Sequence, residues 1–498
     1  MAVKDKVNAL YQALSTQEKR YISIWLGKEN EDGKALLDLL NTVAGKNGAK
    51  TKTGKSASSD EKRLFYLYQA ILRALRSYHE GTSVNLELYS LQMNVEFLFN
   101  RRLYDQSLSE LERLKKSALK YNRYPILLSA LELEQAILLE KNPKNMKELF
   151  VQSNKEILAA LSQIGLHTQL GQNRQELFYM LRNMFNSRDE EKLKRAEALM
   201  QIALEREDEV QDFMSRHHLL HTKSLHALYK SNWKEASKHY SDLVNHWEQH
   251  PDWISADAIT YKKMLSNFLS TCHAIGDIAV IPPLLEKIKS IPCNSAEEEA
   301  EQFQNIYFIE LLHLINTDAF EKLPALEKTI VGGLKKYKSK INKARELMFY
   351  YNFFVTYFCL HDWKTALDWI NKIINSEKND HRADVQALAR LLRLVLYFEL
   401  SYFDLLEYEL INVERYLRQR KIWYAYEAAV ARLLKKLIAK DEDERIPVFA
   451  KFIEQMTEFG AGRESPLPAG TEMQLWANYH ITGTTMRRLL REEDEKNV

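Results

Sequence analysis

Glycine is sparse in this chain, 15 of 498 residues, and proline is sparser still at 10. Glycine at roughly half its usual share argues against strand-rich and nucleotide-cradling folds, which need many glycine turns. Cysteine is nearly absent. Cys272, Cys293 and Cys359 are odd in number and have neither metal nor redox spacing, so they read as ordinary thiols in a reducing compartment. Charge of one sign is not in excess either, since 70 basic and 68 acidic side chains leave a net charge of +2. That balance gives no global field to attract a polyanion and argues against a nucleic-acid partner. No uncharged apolar run approaches the length of a membrane span. The richest stretch, residues 391–400, contains Arg393 and Glu399. Residues 1–26 carry Lys4, Lys6, Lys19 and Arg20 among their apolar positions, so no signal-peptide core stands there. The expectation is a cytoplasmic protein without a membrane span.

What the chain does hold is helix-forming material, with Leu, Lys, Glu, Ala and Gln dominating many windows. Residues 4–27 read as two helices, with Ser15 and Glu18 at capping-box spacing. A third helix over residues 34–43 ends before Gly45. Residues 45–60, GKNGAKTKTGKSASSD, lack large apolar side chains and read as a mobile, solvated linker. Asp60 then stands where it can cap an apolar helix over residues 64–78.

At 498 residues the chain is too long for one ordinary core. A repeat array escapes that limit, because each repeat buries its apolar face against its neighbours. Two segments match closely: NWKEASKHYSDL at 232–243 and DWKTALDWINKI at 362–373. Each has an aromatic, a small residue three positions on, and large apolar residues beyond. Weaker copies set at this spacing give anchors at Tyr104, Met146, Leu193, Trp233, Ile278, Phe320, Trp363, Phe403 and Ile446, between 40 and 47 residues apart. A period near 43 residues over nine copies predicts an array of helical hairpins. Pro143, Pro282, Pro283, Pro324 and Pro447 fall beside the anchors, near the first turn of a second helix, where a missing N–H costs nothing. Pro251 and Pro292 fall between hairpins.

The pattern at Trp233, Ala236 and Tyr240, and at Trp363, Ala366 and Ile370, resembles the second helix of tetratricopeptide repeats; LYDQSLSELERL at 103–114 is similar, with Ser107 in the small position. The resemblance covers roughly residues 89–457 and implies architecture only: an all-α fold, an α-solenoid of about nine antiparallel helix hairpins. The period exceeds that family's repeat of about 34 residues, and the family's closing proline is missing at the matching positions. On the first helix the small residue is Ser224 in one copy but Val95 and Phe354 in two others, where bulk should push the paired helices apart. The whole chain, with its opening LSTQEKRYISIWL, is also similar to helical-repeat proteins of Bacteroidetes, which implies an origin and no activity.

Catalytic patterns are weak. In RHHLLHTKSLH at 216–226, His217 and His221 have the spacing to share an ion, with His218 close by. The inner carboxylate of a zinc-hydrolase motif is missing, so these read as histidines on the polar face of a repeat helix. His246 and His250 repeat that spacing. Gly332-Gly333 lacks phosphate-loop spacing, no G-x-S-x-G elbow occurs, and EEEAE at 297–301 reads as a solvated face. Among FYYNFFVTYF at 349–358, helical spacing sends Phe349, Phe353, Val355 and Phe358 into packing. Tyr350, Tyr351 and Tyr357 are left as candidates to line a groove.

The reading is therefore an N-terminal helical segment (1–80, with the linker at 45–60), a tetratricopeptide-like α-solenoid (81–458) and a C-terminal tail or cap (459–498). The tail contains two prolines and an apolar stretch, MQLWANYHI at 473–481, suited to cap the last hairpin or to act as a bound peptide. No catalytic residue, cofactor or metal site is assigned. The expected function is a non-enzymatic scaffold or adaptor holding a protein or peptide segment. The alternatives are a ligand-sensing transcriptional or signalling regulator, with LSTQEKRYISIWL opening a helix-turn-helix, and an enzyme on a solenoid scaffold.

Overall fold

The computed structural model describes residues 2–28, 31–43, 57–79, 81, 83–182, 190–293, 295–376, 383–420, 423, 425–460 and 471–489. Every regular element among them is a helix, and none of these helices is long and apolar enough to cross a membrane. Residues 45–56 of the expected linker, and 461–470 and 490–498 of the tail, lie outside the described residues. The chain divides into two compact units, residues 1–275 with 290–299, and residues 276–289 with 300–498.

The first unit opens with α1 (Val3–Ala13), α2 (Thr16–Lys28), α3 (Glu31–Val43) and α4 (Ala57–Tyr78). These pack on one another around Val7, Ile22, Leu26, Leu40, Leu67 and Ile71, all fully buried or nearly so. The capping box forms as the spacing predicts. The Ser15 N–H donates to Glu18 Oε2 at 2.7 Å and the Glu18 N–H donates to Ser15 Oγ at 3.2 Å. Asp60 does not precede its helix. With no glycine or proline in residues 57–63 to stop it, α4 starts at Ala57.

The unit continues with α5 (Val84–Asn100), α6 (Tyr104–Lys120), α7 (Tyr124–Lys141), α8 (Met146–Arg182), α9 (Glu190–Glu205), α10 (Phe213–Tyr229), α11 (Trp233–Glu248), the short α12 (Pro251–Ala256) and α13 (Ala258–Ala274). Successive helices pack: α5 on α6, α6 on α7, α7 on α8, α10 on α11 and α11 on α13. The second unit holds α14 (Ile281–Ser290), α15 (Ala296–Asn316, entering the unit at Ala300), α16 (Leu323–Lys336), α17 (Lys343–Cys359), α18 (Trp363–Ile374), α19 (Ala383–Glu399), α20 (Phe403–Gln419), α21 (Ala425–Ile438), α22 (Ile446–Gly460) and α23 (Thr471–Thr482). There α17 packs on α18, α18 on α19, α19 on α20 and α21, and α21 on α22.

Eight of the nine anchors mark helix starts, while Leu193 lies inside α9. Tyr104, Met146, Trp233, Trp363, Phe403 and Ile446 are the first residues of α6, α8, α11, α18, α20 and α22. Ile278 and Phe320 open single 3₁₀ turns leading into α14 and α16. Two residues before six of the nine anchors the backbone is left-handed: Arg102, Ser231, Gly276, Asp318, His361 and Ser401 have φ between 56° and 72°. Five of these close the preceding helix with the same bond across the turn, such as Leu103 N–H to Leu98 O and Asn232 N–H to Ala227 O, at 2.9–3.1 Å. That is the helix-ending geometry usually given to glycine. A left-handed non-glycine residue costs about 1–2 kcal/mol, while glycine loses about 0.5–1 kcal/mol more on folding. Ser231→Gly and Ser401→Gly, both at exposed positions, are therefore expected to stabilise the fold by about 0.5–1 kcal/mol each. A lowered melting temperature in either variant would contradict this.

The small positions are buried. Ala236, Ala366 and Ser107 are fully enclosed, as are Ser224, Val95 and Phe354 on the first helices. The Ser107 hydroxyl donates to the Val95 carbonyl at 2.9 Å, so this antiparallel pair stays close despite the valine. The serine hydroxyl spans the contact to the carbonyl, while the Val95 side chain packs in a buried cluster with Leu111 of α6 and Ile137 of α7. Ala236→Leu and Ala366→Leu should overpack such contacts and cost about 1–3 kcal/mol. Hydrogen exchange should loosen first in the neighbouring helices; unchanged protection would mean that these alanines are not packing residues.

One expected loop is missing. The period predicts a break between the second helix of one pair and the first of the next, yet α8 runs unbroken for 37 residues. Gly165 and Gly171 lie inside it with open space where a Cβ would stand. Without a proline, a glycine costs only about 1 kcal/mol relative to alanine, which packing on α7 and α10 offsets.

Candidate functional site

The histidines of α10 are not on a polar face. His217 and His221 are 3 % and 5 % exposed, and His218 is half-buried. The reason is that α10 is covered by α8, α9 and α11, so little of it reaches water. The Asp212 side chain caps α10 by accepting the Ser215 N–H at 2.8 Å. Its carboxylate also lies 2.9 Å from His167 Nε2 of α8 and accepts the Tyr124 hydroxyl at 3.1 Å. His217 Nδ1 accepts the Trp247 indole N–H at 3.0 Å. Among the described residues neither nitrogen of His221 has a hydrogen-bond partner, nor do His218 Nδ1 and Arg174 Nε. Burial, with the Arg174 guanidinium nearby, pushes His218 and His221 down to about 3, and burial holds His217 well below its ordinary value. Burial would raise Asp212, but hydrogen bonds from His167 and the Ser215 backbone outweigh it and lower the carboxyl.

Burial thus favours the neutral form of the three α10 histidines beside the Asp212 carboxylate. Among the described residues no three His, Cys, Asp or Glu side chains are placed to hold a metal ion. His246 stacks on Phe213 at 4.5 Å and reaches its carbonyl, and His250 bonds to the His246 carbonyl. The tyrosine candidates are spent internally: Tyr350 donates to Glu346, Tyr351 to Glu472 and Tyr357 to Glu327. Phe349, Phe353 and Phe358 are buried as expected. A Cβ on Gly333 would collide with the Phe303 ring, so this glycine serves packing.

The C-terminal residues join the second unit's core. Met473, Trp476 and Ala477 of α23 are fully buried. Trp476 Nε1 donates to Glu399 Oε1 at 2.6 Å, and His480 Nε2 lies 2.7 Å from the same oxygen. Tyr351 of α17 reaches Glu472, and Arg487 Nε donates to Asp318 Oδ1 at 2.7 Å. This segment thus packs on α22 and is tied by single side chains to α17, α19 and Asp318.

Grooves lie open between successive helices of the described residues. In the first unit, α6, α7 and α8 enclose about 680 Å³ lined by Lys115, Tyr124, Glu156, Gln163 and Asp212. Lys115 lies 3.0, 3.3 and 3.5 Å from Glu134, Glu156 and Glu112. Burial alone would depress its ammonium, but these glutamates raise it. In the second unit, α14, α15 and α16 enclose about 460 Å³, where Lys289 lies 3.1 and 3.3 Å from Glu286 and Glu310. The third, about 570 Å³ between α21 and α22, has Leu433 and Phe452 as its floor and Arg432, Lys436 and Lys451 on its rim.

Sequence reasoning found the α10 histidines but missed Tyr124, His167, Arg174 and Asp212, which gather around them. Their only local signal is Asp212 at cap spacing before Ser215; the rest is brought together by helix packing. No family model, curated protein or solved structure matches the chain.

Proposed function

We propose that the protein is a non-enzymatic, cytoplasmic scaffold or adaptor, an α-solenoid whose inter-helix grooves hold a segment of another protein. The observation that supports this most is the recurrence of one turn: a left-handed residue two positions before six of nine anchors. A chain that rebuilds the same turn at a near-constant interval extends a surface by repetition instead of enclosing one deep pocket. The grooves between successive helices, with apolar floors and charged rims, suit helical or extended protein segments. Affinity purification of the full chain from its native host, with mass spectrometry of the eluate, tests the reading. A reproducible set of specific protein partners is the expected result. Recovery of chaperones and ribosomal proteins alone would overturn it.

A further inference from the structure

The three grooves differ in the charge of their lining. Two lysines against three carboxylates leave −1 in the first, and two against two leave 0 in the second. In the α21–α22 groove the rim carries Arg432, Lys436, Lys440 and Lys451 against Asp443 and Glu444. Four cations less two carboxylates leave +2. Lys440 takes Glu444 at 3.1 Å. Arg432, Lys436 and Lys451 are exposed and have no ion pair among the described residues.

Placement matters as much as sign. Arg432 and Lys436 are four residues apart on α21, one above the other on a helix face, and Lys451 of α22 lines the same groove. Between them lies an apolar floor of Ala429, Leu433, Val448 and Phe452, the first, second and fourth buried. A cationic rim over an apolar floor is complementary to a helix with an apolar stripe flanked by carboxylates, and such complementarity sets partner choice more than raw affinity. We infer that the α21–α22 groove is a docking site for an acidic amphipathic helical segment of a partner protein. The partner's apolar side chains would sit on Leu433 and Phe452 and its carboxylates on Arg432, Lys436 and Lys451. This rests on the scaffold reading and gives it one site and one partner chemistry.

Fluorescence anisotropy with the full-length protein tests the site. The probe is a labelled peptide of about 18 residues, long enough to be partly helical in water, with leucines on one face and glutamates beside them. A matching peptide carries lysines instead. The glutamate peptide should bind, and less tightly as salt rises. The triple variant Arg432→Glu/Lys436→Glu/Lys451→Glu should bind it about tenfold or more weakly and gain binding to the lysine peptide, as expected for reversed charge complementarity. That gain separates lost recognition from misfolding. Unchanged affinity for the glutamate peptide in the variant would overturn the inference. So would phosphatidylserine vesicles or an RNA oligonucleotide binding through these residues while the peptide does not. If the variant still co-purifies every partner of the wild type, the groove assignment fails and the scaffold reading stands. If neither form recovers a specific partner, the scaffold reading fails.

Discussion

Trp476→Ala is expected to cost the second unit about 3–5 kcal/mol, the range for removing a fully enclosed large aromatic. The indole has no exposed surface and packs edge-on against Phe398 and Phe449 at 5.8 and 5.1 Å. Its N–H bond to Glu399 is the smaller part. His480 also reaches that oxygen, so losing one donor should cost about 1–2 kcal/mol. Trp476→Phe separates the two effects by keeping most of the apolar contact. Urea denaturation, with hydrogen exchange read on α17, α19 and α22, measures both variants. An unchanged midpoint for the alanine variant would show that α23 contributes nothing to the unit's stability.

Acid should destabilise the first unit, beginning below pH 6.5. The folded values of His218 and His221 lie at about 3 against an ordinary 6.5, so between these limits the unfolded chain binds more protons. Stability is therefore full above pH 6.5 and falls as the pH is lowered toward 3. At pH 5 the linkage amounts to about 2 kcal/mol for each of the two residues, with His217 acting in the same direction. His221 has no hydrogen bond to lose among the described residues, so His221→Leu should remove its share and lose about 2 kcal/mol less than the wild type between pH 7 and pH 5. Urea midpoints at the two pH values measure the difference. Parallel losses in both proteins would mean that His221 is hydrated and titrates normally in the fold.

Most of the helical architecture was legible in local signals. The anchors place the second-helix starts because an aromatic or large apolar residue there packs against the end of the preceding helix, as Trp363 does against Phe358 at 5.3 Å. The small residue three positions on, Ala236 or Ala366, reports the close helix contact directly. The turns themselves were not legible. Arg102, Ser231, Asp318, His361 and Ser401 take the conformation expected of glycine, so the strongest punctuation mark is missing from the sequence. The burial of His217 and His221 was hidden for another reason. It is set by α8 and α11 closing over α10, and helical spacing says which residues share a face without saying how many faces are covered. The unbroken α8 shows the same limit, since a period predicts where a loop can fall but not whether packing will suppress it.

The ties made by the C-terminal segment join residues 77, 121 and 169 positions apart. A repeat array is usually assembled stepwise as it leaves the ribosome, each pair settling on the one before. Here the oxygens of Glu399 and Asp318 wait for Trp476 and Arg487, which follow Asp318 by roughly 10–30 s at ordinary rates of synthesis. In the last part of that interval, once Phe398 and Phe449 have been made and before α23 follows, the face that α23 covers is bare and these rings are open to other chains. The synthesis of α23 thus ends the period in which the second unit is most exposed to misassembly.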